Sequence, residues 1–233
     1  MVFTFWEGKM PDYIKLCLET WKVDYVILNY KNLHEYTDLK IDDNLKRLTL
    51  PQQADCVRVH VLRDNGGYWL DADTIMLTDK LPTENMIGDP IKRTNTIGYL
   101  HTEPHSQMFN EWAEYQERVV SEFTDSLHSE FKWSWDMVGN AFTDKYVKEH
   151  PDITIADVTP CWAETYMMPD PYSRYEKYRK FYFTFSFNLS DLKPTDMLML
   201  HNSWTPEFYR YMSKSNILKH DCTMSNILRE VLA

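Results

Sequence analysis

From Val2 to Leu77 short β-rich apolar runs alternate with stretches of helical periodicity, and nothing else in the chain narrows its fold so far. "VFTFW" (2–6) is β-branched and aromatic and is stopped by Gly8, so it reads as a strand. "PDYIKLCLETWK" follows, with Pro11 at the expected first helical position and Tyr13, Ile14, Cys17, Leu18 and Trp21 at helical spacing. "DYVILNY" reads as a second strand. After a short helix and a polar connection, Ala54, Val57, Val61 and Leu62 line one stripe of "LPQQADCVRVHVLRDNGG". The Asn65-Gly66-Gly67 cluster stops that helix. "DADTIML" reads as the third strand. This alternation predicts an α/β fold, a mostly parallel sheet flanked by helices. In such sheets ligands lie at the carboxyl ends of strands, where Trp6, Asn29, Asp71 and Asp73 fall.

The second half is less regular. "SQMFNEWAEYQERVVSEF" predicts an amphipathic helix, "DITIADV" and "KFYFTFSF" predict strands, "DMLMLHNSW" an apolar strand with a polar end, and "SNILREVL" a closing helix. Pro169 to Pro171 is the best candidate for a break. We read the chain as one domain, 1–233, divided into halves at 1–100 and 101–233.

The net charge of −10 excludes a broad basic face for nucleic acid, while leaving room for a small anion neutralised by a metal ion. Aromatic residues reach 15%, which fits an aromatic-rich core or stacking on flat ligands; composition alone favours the core. Cys17, Cys56, Cys161 and Cys222 form no CxxC pair and are expected to be buried thiols. No basic stretch leads into a long apolar one at the start, and no run approaches the ~18 apolar residues of a membrane span. A cytoplasmic protein is expected.

Within "GGYWLDADTIML" (66–77) two carboxylates interrupt an apolar run. Residues i and i+2 of an extended segment share a face, so Asp71 and Asp73 would address one site, and hard oxygen ligands suit Mg²⁺ or Mn²⁺. A lone Asp-x-Asp is more often a solvated strand end or turn. The context favours a site: a Gly-Gly turn, Tyr68 and Trp69 precede the pair, and Asp55 and Arg58 are neighbours on the preceding helix. Those two form either an ordinary intrahelical ion pair or a sugar- and phosphate-facing couple.

"ADCVRVHVLRDNGGYWLDADTIML" resembles the compound signature of DxD-containing sugar transferases. These are the capsular polysaccharide synthesis kind, the yeast-type initiating mannosyltransferases and the glucosylating domain of large clostridial toxins. Asp55, Arg58, Gly66, Gly67, Trp69, Asp71 and Asp73 stand in register with it. "FTFWEGKMPDYIKLCLETW" resembles the family's opening strand and helix, in which Trp6 takes the place of the base-stacking aromatic. "LHNSW" (200–204) resembles the closing segment.

The resemblance implies a GT-A-like fold with a nucleotide-sugar-binding half and an acceptor half. It implies a UDP-sugar donor held by Trp6, Asp55, Arg58, Trp69, Asp71, Ser203 and Trp204, and a Mn²⁺ or Mg²⁺ held by Asp71, Asp73 and His201 or Asn202. It also implies transfer of a hexose with retention, Asp55, Arg58, Asp71 and Asp73 being catalytic, to a glycan or lipid-linked saccharide.

"DMVGNAF" (136–142) resembles an acceptor-side turn only loosely, with Asp136 and Asn140 as candidates. Trp133, Trp135 and Trp162 would either floor an acceptor sugar or pack in the core. "YSRYEKYRKFYF" (172–183) is basic and aromatic, and reads as a solvated loop or edge strand or as a peripheral docking surface for an anionic membrane.

Two rival readings remain. One is a haloacid-dehalogenase-type phosphohydrolase using Asp71 and Asp73, whose downstream Lys is met only by a fragment in "GDPIKRT". The other is a non-catalytic nucleotide- or glycan-binding module.

Overall fold

The computed structural model describes residues 1–125 and 134–233. The strands are β1 (Val2–Phe5), β2 (Tyr25–Leu28), β3 (Gly67–Leu70), β4 (Thr74–Met76), β5 (Met86–Asp89), β6 (Thr94–Thr102), β7 (Ile155–Asp157) and β8 (Met197–Met199). The helices are α1 (Asp12–Glu19), α2 (Leu50–Asn65), α3 (Gln107–Asp125), α4 (Asn140–Glu149), α5 (Ala163–Met167), α6 (Arg174–Phe183), α7 (Glu207–Arg210), α8 (Lys214–Ile217) and α9 (Thr223–Leu232). They belong to two compact units, interleaved in sequence. The first is Met1–Glu7, Tyr25–Leu70 and Pro82–Asp157; the second is Gly8–Asp24, Asp71–Leu81 and Val158–Ala233.

The first unit is built on a six-stranded sheet in the order β2-β1-β3-β6-β5-β7. β1 runs parallel to β2 and β3, and β5 parallel to β7, while β6 is antiparallel to β3 and β5. The expected α/β class with a mostly parallel sheet is therefore present. Phe3, Phe5, Val57, Val61, Trp69 and Trp112 belong to its core, so the strand faces and the α2 stripe bury what their periodicity promised.

α2 begins where Gln52 accepts the Thr49 main-chain N–H at 3.1 Å, and ends at Gly66, whose φ is +64°. Gly67 follows at φ +86°, and a Cβ there would stand 2.7 Å from the Met1 carbonyl oxygen. The glycine pair thus lets α2 reverse directly into β3.

The third strand departs from expectation. β3 occupies Gly67 to Leu70, and its pairing with β1 and β6 ends there. Asp71, Ala72 and Asp73 form a turn closed by the Thr74 N–H on the Asp71 carbonyl at 3.0 Å, and the chain resumes as β4. The two aspartates therefore do not share the face of an extended strand. A turn interrupts the apolar run because carboxylates are better accommodated where the ladder stops.

In the second unit β4 pairs antiparallel with β8, Thr74 opposite Met199. Tyr13, Ile14, Ile75, Leu198, Tyr178, Phe181, Tyr209 and Ile227 are buried there. "KFYFTFSF" is not a strand: α6 covers residues 174–183. Its Ser173 Oγ accepts the Glu176 N–H while Glu176 accepts the Ser173 N–H at 2.9 Å, and Tyr178, Phe181 and Tyr182 bury one helical face. The period-two phenylalanines of the sequence lose to this capping and packing, leaving Phe185 exposed. All four cysteines are buried and free, as expected. Among the described residues no helix is long and apolar enough to cross a membrane.

Candidate active site

The Asp-x-Asp turn and the closing segment meet within the second unit. β4 and β8 are paired, so Asp73, just before β4, faces the residues that leave β8. The Leu200 N–H donates to the Asp73 carbonyl at 3.1 Å, and the Asn202 N–H donates to the Asp73 carboxylate at 2.6 Å. Asn202 is held from two more sides. Its side-chain oxygen accepts the Tyr13 hydroxyl, and its carbonyl accepts the Arg210 guanidinium. The Tyr13 phenol is buried, which together with the nearby Asp73 raises its pKa well above the usual value.

His201 sits among rings. Its ring centroid is 4.0 Å from that of Trp204 and 5.3 Å from that of Tyr178, and the His201 main-chain N–H donates to the Tyr178 hydroxyl. Its Nε2 lies 3.0 Å from Nη2 of Arg174. A guanidinium has only donors, so Nε2 is the acceptor and the proton is on Nδ1. Burial and Arg174 push the His201 pKa down to about 3, which keeps the ring neutral. Arg174 in turn lies 3.7 Å from the Trp162 ring centroid, with its Nε 4.0 Å from the Glu164 carboxylate.

Asp71 and Asp73, one or two carboxylates with substrate oxygens to complete the shell, fit the usual way of holding Mg²⁺ or Mn²⁺. His201 does not fit as a ligand in this arrangement, because its one lone pair is engaged by Arg174, and Asn202 serves as a brace. Among the described residues no three His, Cys, Asp or Glu side chains form a metal cluster by themselves. Ser203 is exposed and Trp204 half-buried in the same segment.

In the first unit Asp55 and Arg58 form a buried ion pair at 2.8 Å. Arg58 also donates to the Ile97 carbonyl and stands 5.0 Å from the Trp69 ring centroid, and Gln116 donates to the Asp55 carbonyl at 3.1 Å. Trp69 is itself buried in the core, so it supports Arg58 from below. A Cβ at Gly139 would come within 3.0 Å of the Asp55 carboxylate, which is how closely the loop after α3 is laid on the pair. Trp6, at the carboxyl end of β1, is half-buried, and its indole N–H has no hydrogen-bond partner among the described residues.

The acceptor-side candidates are differently placed. Asn140 donates to the Asn95 carbonyl at 3.0 Å, and the Asp136 carbonyl accepts from Gly139 at 2.9 Å. Trp135 is 74% exposed, and Trp162 lies beneath Arg174. Trp133 lies outside the described residues. Sequence reasoning missed Tyr13, Glu164 and Tyr178 and took Arg174 for a surface charge. Tyr13 was hidden in a stripe that reads as core, and only the 189-residue separation from Asn202 gives it meaning.

Comparison with known proteins now bears on this geometry. Residues 1–148 match the family described as "Capsular polysaccharide synthesis protein". The chain belongs to this family. Membership of this family supports a glycosyltransferase, and the expected α/β class is present. One solved structure, described as "PaToxG Glycosyltransferase", is similar at 13% identity with a TM-score of 0.44, over 77% of this chain and 76% of that chain. No curated protein matches the sequence.

Proposed function

We propose that this glycosyltransferase moves a hexose from a UDP-sugar to a glycan or lipid-linked saccharide with the help of Mg²⁺ or Mn²⁺, retaining the anomeric configuration. The observation that carries the reading is the 2.6 Å bond from the Asn202 N–H to Asp73, which ties the Asp-x-Asp turn to the closing segment. Each motif alone is weak, and the fold joins them.

Asp71 and Asp73 would hold the metal, which when bound supplies Lewis-acid stabilisation of the charge on the departing diphosphate. Asn202, fixed by Tyr13 and Arg210, keeps the Asp73 carboxylate in one orientation. Ser203 and Trp204 supply a hydroxyl and an indole N–H to the diphosphate. Trp6 is assigned to the uracil, and its partnerless indole N–H supports a ligand at that end of β1. Asp55 and Arg58 are assigned to the donor sugar, and their fixed geometry supports a positioning role. Asp136 and Asn140 remain the acceptor-side candidates. A same-face mechanism, in which a diphosphate oxygen takes the acceptor proton, needs no protein nucleophile. The acceptor's membrane would be met through residues 172–183, of which 174–183 form α6 and where Lys177 pairs with Asp170 at 2.8 Å.

Thermal unfolding with UDP, with GDP and with neither, each with and without Mn²⁺, tests the reading. A ligand at about 100 times its Kd adds ~2.7 kcal/mol, and each kcal/mol shifts Tm by ~2–4 °C at this chain size. A rise of several degrees that needs both UDP and Mn²⁺ and is lost in Asp73→Asn is expected. A Tm indifferent to every combination would sink the proposal.

A further inference from the structure

Glu164 is 0% exposed, and among the described residues neither of its carboxylate oxygens has a hydrogen-bond partner on another residue. Its nearest neighbours of opposite or switchable charge are Arg174 Nε at 4.0 Å and His201 Nε2 at 3.9 Å. A buried carboxylate that is left short of hydrogen bonds is costly, so the surroundings must hold it for a purpose other than its own pairing. The group it backs is the Arg174 guanidinium. That group rests on the Trp162 ring at 3.7 Å, stands 5.7 Å from the Trp204 ring, and gives one N–H to neutral His201. Its side chain is nevertheless 41% exposed. An arginine held by two indoles, an imidazole and a carboxylate, with its side chain still partly open to solvent, is arranged to receive a planar or multidentate anion.

The anion's identity follows from what adjoins it. Arg174 touches His201, and the next residue, Asn202, holds Asp73. The Asp-x-Asp turn and the guanidinium are thus linked by two consecutive residues. A nucleoside diphosphate has negative charge to share between a metal ion and a fixed arginine, whereas a neutral sugar has none.

We propose that Arg174 binds the diphosphate of the donor and stays with it as the leaving group departs, and that His201, Trp162 and Glu164 are positioning residues for its guanidinium. This rests on the proposed function above. It moves His201 from metal ligand to orienting acceptor, and moves Arg174 from a surface charge to the site.

Isothermal titration of UDP, UMP and uridine in the presence of Mn²⁺ separates the possibilities, with GDP run in parallel on the wild type. Wild type, Arg174→Met, Arg174→Lys and Asp73→Asn are compared. Arg174→Met is expected to weaken UDP at least about tenfold, the loss of one charge-assisted contact, and to leave uridine unchanged. Arg174→Lys should recover part of the loss, because it restores charge without the fork. Unchanged uridine affinity also reports an intact fold. If Arg174→Met binds UDP as the wild type does while Asp73→Asn loses Mn²⁺-dependent binding, the proposal is overturned and the function stands. That result would turn Arg174 toward an acidic acceptor instead. If the wild type binds neither UDP nor GDP, the functional reading fails and this proposal with it.

Discussion

Asp73 shows how much one residue does in this site. A hydrogen bond to a charged acceptor contributes about 1.5–3 kcal/mol, more than an exposed ion pair, so the Asn202 N–H is a firm hold on the carboxylate. Tyr13 is the next link, and its hydroxyl is the one donor that reaches the Asn202 side-chain oxygen from α1. Tyr13→Phe keeps the buried ring and removes the hydroxyl with its bond to Asn202 and its interaction with Thr205. It is expected to lower Tm by ~2–4 °C, about 1 kcal/mol, and to reduce the further Tm rise given by UDP with Mn²⁺. An unchanged nucleotide-dependent rise would show that Asn202 needs no brace. The carboxylates and the HNSW segment could be found in the sequence because each is a short local pattern. Tyr13, Glu164 and Arg174 could not, since nothing local separates a tyrosine in a core stripe from one that reaches a distant asparagine. His201 was legible as a candidate metal ligand. Its ligation depends on which ring nitrogen is occupied, and that is decided by an arginine 27 positions away.

Among the elements, α2 and α6 make a useful contrast. The glycine pair after α2 is an unambiguous stop, and the boundary falls at the residue where the sequence puts it. Residues 172–183 carry two periods at once, and the capping box decides between them. Ser173→Ala removes the side-chain half of that box and is expected to destabilise the protein by about 1 kcal/mol, read as a lower urea midpoint. Because Arg174 is the first residue of α6, the same change should weaken UDP binding as the helix start loosens. A lowered midpoint with unaltered UDP affinity would separate the two. The β3–turn–β4 path was misread for a related reason. Periodicity reports faces within a strand and says nothing of where a ladder runs out of partners, which here happens at Leu70.

For the whole molecule, a histidine that folds uncharged contributes to acid sensitivity. His60 on α2 is buried, and burial, with Arg63 adding to it, pushes its pKa down to about 4 against the attraction of Asp64 and Asp38. A base whose folded pKa is depressed takes up its proton in the unfolded chain first. Its contribution is therefore complete above pH 6.5 and is lost progressively as pH falls to about 4, by up to about 3 kcal/mol. His60→Gln abolishes that titration. The gap between urea midpoints at pH 7 and pH 4.5 is expected to narrow in the variant, whatever its constant cost at both pH values. An equal gap in the two proteins would place the acid sensitivity elsewhere. The interleaving of the two units has a consequence for biogenesis. The first unit has all its strands once Asp157 has been made, whereas β4 waits for β8, and Asp12 for the Lys214 N–H, a loop of 202 residues. Long-range closure of this kind is slow. On the ribosome, β4 can pack on α1 but lacks its strand partner until residues 197–199 emerge, and chaperone binding is expected in that interval.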